Sequence, residues 1–310
     1  MATFGTLFLR KTKLMNRAFV DSPAARWRMF PNALDFIFMA VWVFLSQLMV
    51  LRIAMAFGVS MPDLAAAASQ DAEVSLSAEL DTARTLMLVY TPSMLLSIAG
   101  VLLYRRLRGG RGRIVRLSGA GFNPTLLLWG VVWMIATEIV IEPLLMLLPP
   151  APDTVGRGFF ALAVTVLVAP VCEEILCRGI VLESLRGKYG VVVAWLFSSV
   201  FFAVIHGHPT SMLNALIIGS ILGYICIRSK SVFSSILLHA INNGLALTAI
   251  SFGLADSTFS SLIADRRIYI AVYLASAVVC TLGLAYLVVG LVAERRVEKA
   301  DSEKKSEPQA

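Results

Sequence analysis

This chain is short of charge: Asp, Glu, Lys and Arg make up 15% of its 310 residues, against 58% hydrophobic. A soluble domain normally carries about a quarter of its residues charged, so a water-facing surface is excluded for most of the chain. Other absences narrow the field. The four cysteines, Cys172, Cys177, Cys226 and Cys280, form no Cys-x-x-Cys pair and fall inside apolar runs. They read as small buried hydrophobes and carry no information about redox compartment. No glycine-rich phosphate cradle and no serine-centred nucleophile motif is present. No short apolar core with a small-residue cleavage site follows the basic N-terminal stretch, so a removed signal peptide is not expected.

What the chain has instead is apolar runs near twenty residues long and a mean hydropathy of +0.78. About 20 helical residues at roughly 1.5 Å each cross a hydrocarbon core. The expected fold is an all-α, polytopic membrane helix bundle of about eight transmembrane helices. Their expected ranges are 34–57, 85–104, 125–148, 158–184, 190–206, 211–227, 232–252 and 268–292. The chain then divides into a basic segment (1–32), three helices with their loops (33–157), a core of four helices (158–252), a last helix with the loop before it (253–292) and a charged tail (293–310), of which about the last 15 residues are expected to be solvated and disordered.

The net charge of +7 invites a nucleic-acid reading, but its placement does not. Most Lys and Arg lie in short segments beside alternate runs. The exceptions are Arg84, Arg157, Arg266 and Arg267 in the opposite loops, and Arg52 and Arg178 within spans. That asymmetry predicts both termini inside, with the bilayer rather than nucleic acid as partner.

Polar groups inside the runs are expensive, so they point to function. Three constellations stand out: Glu173-Glu174 followed by Arg178, Phe202 followed by His206, and His239 followed by Asn243. On a helix, Glu174 and Arg178 are i,i+4 neighbours with the acid on the favourable N-terminal side. Glu173 sits about 100° round the same helix and cannot share that contact fully, which leaves one carboxylate paired and one free to act as a base. Register permits the three to meet. From a turn near Lys188, Glu173 and His206 lie roughly 22 and 27 Å along their helices, and His239 and Asn243 lie about 14 and 20 Å beyond Lys230. Phe202 and His206 share a helix face, as do His239 and Asn243.

Other polar residues have plainer readings. Glu138 and Glu142, one turn apart, are expected at a boundary or lining a polar cavity, with Arg52 or Arg178 as possible partners. His208, between Gly207 and Pro209, belongs to a turn, and Asn242 is an alternative to Asn243 beside His239.

At these residues the sequence resembles the CAAX protease and bacteriocin-processing (Abi) family of intramembrane endopeptidases, related to type II CAAX prenyl endopeptidases. The resemblance rests on Glu173-Glu174-Ile-Leu-Cys-Arg178-Gly179, Phe202-Ala-Val-Ile-His206 and His239-Ala-Ile-Asn242-Asn243, and covers about residues 158–250. Cys177 stands where many members carry an aromatic residue. The resemblance implies that Glu173, helped by His206, activates water for attack on a peptide carbonyl, with His239 and Asn243 stabilising the oxyanion and Glu174, Arg178 and Phe202 in support. The family has been called metalloproteases, and Glu173, His206 and His239 would be the zinc ligands. The kinship to the prenyl endopeptidases favours a site needing no cofactor. The expected substrate is a membrane-associated peptide or protein tail, CAAX-type or leader-like, and the expected location is a bacterial cytoplasmic membrane. Two other classes remain: a non-catalytic scaffold or immunity protein of the same fold, and a proton-coupled transporter, for which no internal repeat is found.

Overall fold

The computed structural model describes residues 30–60, 72–110, 121–150, 155–254 and 257–306. All regular structure among them is helical. In order the helices are α1 (Ala33–Ala56), α2 (Ala72–Leu107), α3 (Pro124–Leu145), α4 (Gly158–Tyr189), α5 (Val191–Val204), α6 (Pro209–Ser229), α7 (Val232–Ser251), the short α8 (Phe259–Leu262) and α9 (Arg266–Ser306). Seven of them, all but α5 and α8, are long and apolar enough to cross a membrane.

The eight expected apolar helices are all present, with one correction. The run expected to cross at 190–206 forms a helix of 14 residues, Val191–Val204. At about 1.5 Å per residue it reaches roughly 21 Å, short of a hydrocarbon core of about 30 Å. Gly190 and Gly207, both at positive φ, bend the chain on either side of it.

The burial pattern is inverted relative to a soluble protein. Leu274, Leu284, Val288 and Val289 on α9 and Leu34, Phe38 and Leu48 on α1 are exposed, whereas Glu174 and Arg178 are fully buried. Such a surface suits lipid, and the chain is a multi-pass membrane protein. Polar side chains join the helices inside. Trp195 Nε1 donates to Ser220 O at 2.8 Å, and Ser198 Oγ donates to Cys177 O at 2.8 Å.

Side-chain bonds sort the helix ends into two groups. At one end Lys188 and Tyr189 both donate to Pro31 O, Arg108 pairs with Asp35, and Arg186 pairs with Glu298 and Glu294. At the other end Arg157 pairs with Glu79 and Thr210 donates to Pro149 O. The described beginning and close of the chain therefore share one end, the one carrying the basic turns.

Two expectations about loops need correcting. The acidic stretch before 85 is helical from Ala72, anchored where Glu79 meets Arg157 at 2.8 Å. The charged tail expected to be disordered continues α9 to Ser306. Glu294 and Glu298 dock on Arg186 and Arg228, and Glu298 also accepts from the Val191 amide, so these acids face partners rather than water. Residues 307–310 and the segment 1–29 lie outside the described residues.

Candidate active site

The site is built around a helix that is not a regular α-helix. Within α4, Ala163–Val168 and Ile175–Leu182 are π-helical, and the short α-helical turn Ala169–Glu174 lies between them. Such wide turns gather at functional positions because they re-aim side chains. Pro170 helps explain the first. The Ala169 amide bonds Val164 O, so the next bond in the same register would join Thr165 O to an N–H at residue 170. Proline has none. The orphaned Thr165 carbonyl accepts instead from Asn243 Nδ2, at 3.0 Å.

The adjacent carboxylates have different partners. Glu174 Oε1 receives Arg178 Nη1 at 2.6 Å and His239 Nδ1 at 3.1 Å. Arg178 Nη2 reaches Gly219 O at 2.6 Å, and its guanidinium lies 4.4 Å from the centroid of the Phe202 ring. Phe202 in turn packs edge-on against His206 at 4.7 Å and His239 at 5.5 Å. Gly219 makes this possible: a Cβ there would meet Phe202 Cδ1 at 2.7 Å and Arg178 Nη2 at 3.2 Å.

Glu173 is not free, as the sequence led us to expect. Its Oε1 accepts a hydrogen bond from the Tyr90 hydroxyl on α2. Its Oε2 is buried without a hydrogen-bond partner and lies 3.9 Å from His239 Nε2. Glu173, Tyr90 and His206 line one cavity of about 600 Å³, walled by Phe44, Gln47, Leu48 and Leu51 of α1 and Leu86, Val89, Ser93 and Met94 of α2.

The hydrogen bonds fix where the histidine protons sit. His206 Nδ1 is 2.7 Å from Phe202 O, an atom that can only accept, so Nδ1 carries a proton, and in the neutral ring Nε2 keeps its lone pair. His239 Nδ1 likewise donates to the Glu174 carboxylate. His239 can therefore donate from Nε2 only as the imidazolium.

The three motifs thus converge: Glu173, Glu174, Arg178, Phe202, His206 and His239 form one connected cluster, with Asn243 bonded to the helix that carries the acids. Asn242 Nδ2 approaches Asn243 Oδ1 at 3.4 Å and so supports its neighbour. Among the described residues no three His, Cys, Asp or Glu side chains, Glu173, His206 and His239 included, are grouped as a metal set. Glu138 and Glu142 serve elsewhere, the first bonding Asn214 and the second accepting from the Phe259 amide of α8 at 2.7 Å. His208 precedes Pro209 as the N-cap of α6, in the expected turn.

Tyr90 and the Thr165 carbonyl escaped the sequence reading. A phenol in the middle of an apolar run was the available signal for Tyr90, beside Thr91-Pro92, but no spacing ties α2 to α4.

The bundle thus sets Glu173 and His206 on one cavity, with His239 beside Glu173. Residues 156–245 match the family model described as type II CAAX prenyl endopeptidase Rce1-like, and this stretch holds all three motifs. That segment is an Rce1-like domain, and its family is that of CAAX-type intramembrane proteases. No curated protein and no solved structure matches the chain.

Proposed function

We propose that the protein is an intramembrane endopeptidase that cleaves membrane-associated peptides or protein tails by a metal-free, glutamate-based mechanism. One observation carries this reading: Glu173 on α4 and His206 just past the end of α5 line a single cavity, with His239 Nε2 at 3.9 Å from the unpartnered Glu173 oxygen.

In this mechanism a water in the cavity is held by Glu173 Oε2 and His206 Nε2. Glu173 takes one proton as the water oxygen attacks the scissile carbonyl. The carbonyl oxygen becomes an oxyanion, stabilised by the Nε2–H of the His239 imidazolium and by the second amide hydrogen of Asn243. Glu174 holds the His239 ring at its other nitrogen, and Arg178 balances the charge of Glu174. The C–N bond then breaks, and Glu173 returns the proton to the departing amine. Residues 158–252 carry the chemistry, while α1 and α2 close the cavity. The substrates that fit are extended tails, prenylated or leader-like, threaded past the apolar walls of Phe44, Leu48 and Leu86.

The test uses purified protein in detergent with a peptide library that includes farnesylated CAAX peptides. Wild type is expected to cleave, His206→Ala to lose at least about 100-fold in rate, and a chelator to leave the rate unchanged. Equal cleavage by wild type and His206→Ala would overturn the assignment of His206, and stoichiometric zinc with chelator-sensitive activity would overturn the metal-free mechanism.

A further inference from the structure

We propose that Tyr90 is a positioning residue for the Glu173 carboxylate, acting from a helix that lies outside the three motifs. The inference rests on the reading of Glu173 as the base. Tyr90 lies on α2, 83 positions before Glu173, and its hydroxyl donates to Glu173 Oε1. Both residues face the same cavity.

The bond divides the carboxylate. Oε1 is taken by the phenol, and Oε2, buried and without a hydrogen-bond partner, is the atom left to face His239 and a water. The last torsion of a glutamate is soft and nearly two-fold. Without a donor on one oxygen the carboxylate plane would turn freely, so the phenol fixes the direction in which the second oxygen points. Tyrosine suits the task because its ring spans the gap between two helices while its single hydroxyl hydrogen offers one bond and no charge.

The Tyr90 backbone lies beside a proline. Pro92 lies inside α2 and cannot donate to the turn before it, and Ser93 Oγ donates to Tyr90 O at 2.7 Å while Ser97 Oγ donates to Ser93 O at 2.8 Å. These bonds add side-chain ties to the turns around the proline, in the part of α2 from which the phenol projects. Glu173 is thus clamped from α2 while Glu174 is clamped by α7 through His239, so the two carboxylates have independent supports.

Tyr90→Phe tests this, since it keeps the ring and removes only the hydroxyl. Full-length protein in detergent is assayed on a fluorogenic farnesylated CAAX peptide, beside Glu173→Gln. Tyr90→Phe is expected to lower kcat about 10- to 100-fold, the scale of a misplaced catalytic group, with KM within about two-fold of wild type. Adding Tyr90→Phe to Glu173→Gln should cost nothing further, because the phenol works through the carboxylate. Wild-type kcat in Tyr90→Phe beside an inactive Glu173→Gln overturns the inference and leaves the base assignment standing. Wild-type activity in Glu173→Gln overturns the base assignment and the inference with it. A second readout needs no substrate: the infrared carboxylate band that disappears in Glu173→Gln should shift in Tyr90→Phe, and an unmoved band contradicts the bond.

Discussion

Glu173 and Glu174 are neighbours in sequence and opposites in situation. Glu174 has no exposed surface and is locked between Arg178 and His239, whereas Glu173 keeps one oxygen uncommitted beside a cavity. The two should therefore respond differently to substitution. Arg178→Ala leaves a buried carboxylate without its counter-ion, and a loss of about 3–5 kcal/mol is expected, visible as a large fall in Tm in detergent. Glu173→Gln keeps an acceptor for the Tyr90 hydroxyl, and the nearest basic group, His239 Nε2, is 3.9 Å away, so Tm should shift by little. Equal losses in the two variants would contradict the division of labour. Part of this was legible in advance. The i,i+4 spacing of Glu174 and Arg178 is written in the sequence, and the bond forms as that spacing demands. The fate of Glu173 was not, since its partner Tyr90 is 83 positions away and no periodicity links them.

At the scale of the helix, α4 departs from regular geometry on both sides of the acids, and its partners absorb the consequences. Asn243 bonds the Thr165 carbonyl that Pro170 cannot serve. Asn243→Ala should then cost about 1–3 kcal/mol for the unpaired carbonyl, in addition to any loss of activity. Pro170→Ala restores an amide hydrogen at that position, so the double variant should lose less stability than Asn243→Ala alone. Strictly additive losses in thermal unfolding would show that Thr165 O does not depend on Asn243. Gly219 sets a second limit. A methyl group there would push Phe202 and Arg178 aside, and Gly219→Ala is expected to destabilise by about 1–3 kcal/mol and to reduce cleavage through the displaced histidine rings. Unchanged Tm and rate would count against that packing. The sequence revealed the existence of these helices far better than their internal form. Apolar runs report that a segment is buried in lipid. They do not report a π-helical turn, or that α5 stops after 14 residues, because Gly207 and Pro209 act only through the geometry of the turn they make.

For the whole molecule, the alternating runs and the basic loops foretold the bundle closely, because both follow from lipid excluding charge. The ties from Pro31 to Lys188 and from Glu298 to Arg186 put the described beginning and close of the chain at one end. The cavity lies toward the other end. Its walls come from the second half of α1 (Phe44 to Leu51) and from Ile205 and His206 just past the end of α5. The charge asymmetry of the loops leads us to expect the basic end inside, and on that orientation the cavity should admit reagents from the external side. A cysteine placed at Gln47, in a background whose four native cysteines are replaced, is expected to react with a membrane-impermeant maleimide added to intact cells. Labelling only after the cells are opened would place the cavity mouth on the inner side.

The central claim is that Glu173 delivers the water that cuts the peptide, and one comparison tests it directly. Cleavage of a farnesylated CAAX peptide by purified wild type and by Glu173→Gln is followed by mass spectrometry, with Tm measured on the same samples. The account predicts a loss of at least about 100-fold in kcat/KM at nearly unchanged Tm. Cleavage at the wild-type rate by the folded variant would contradict it.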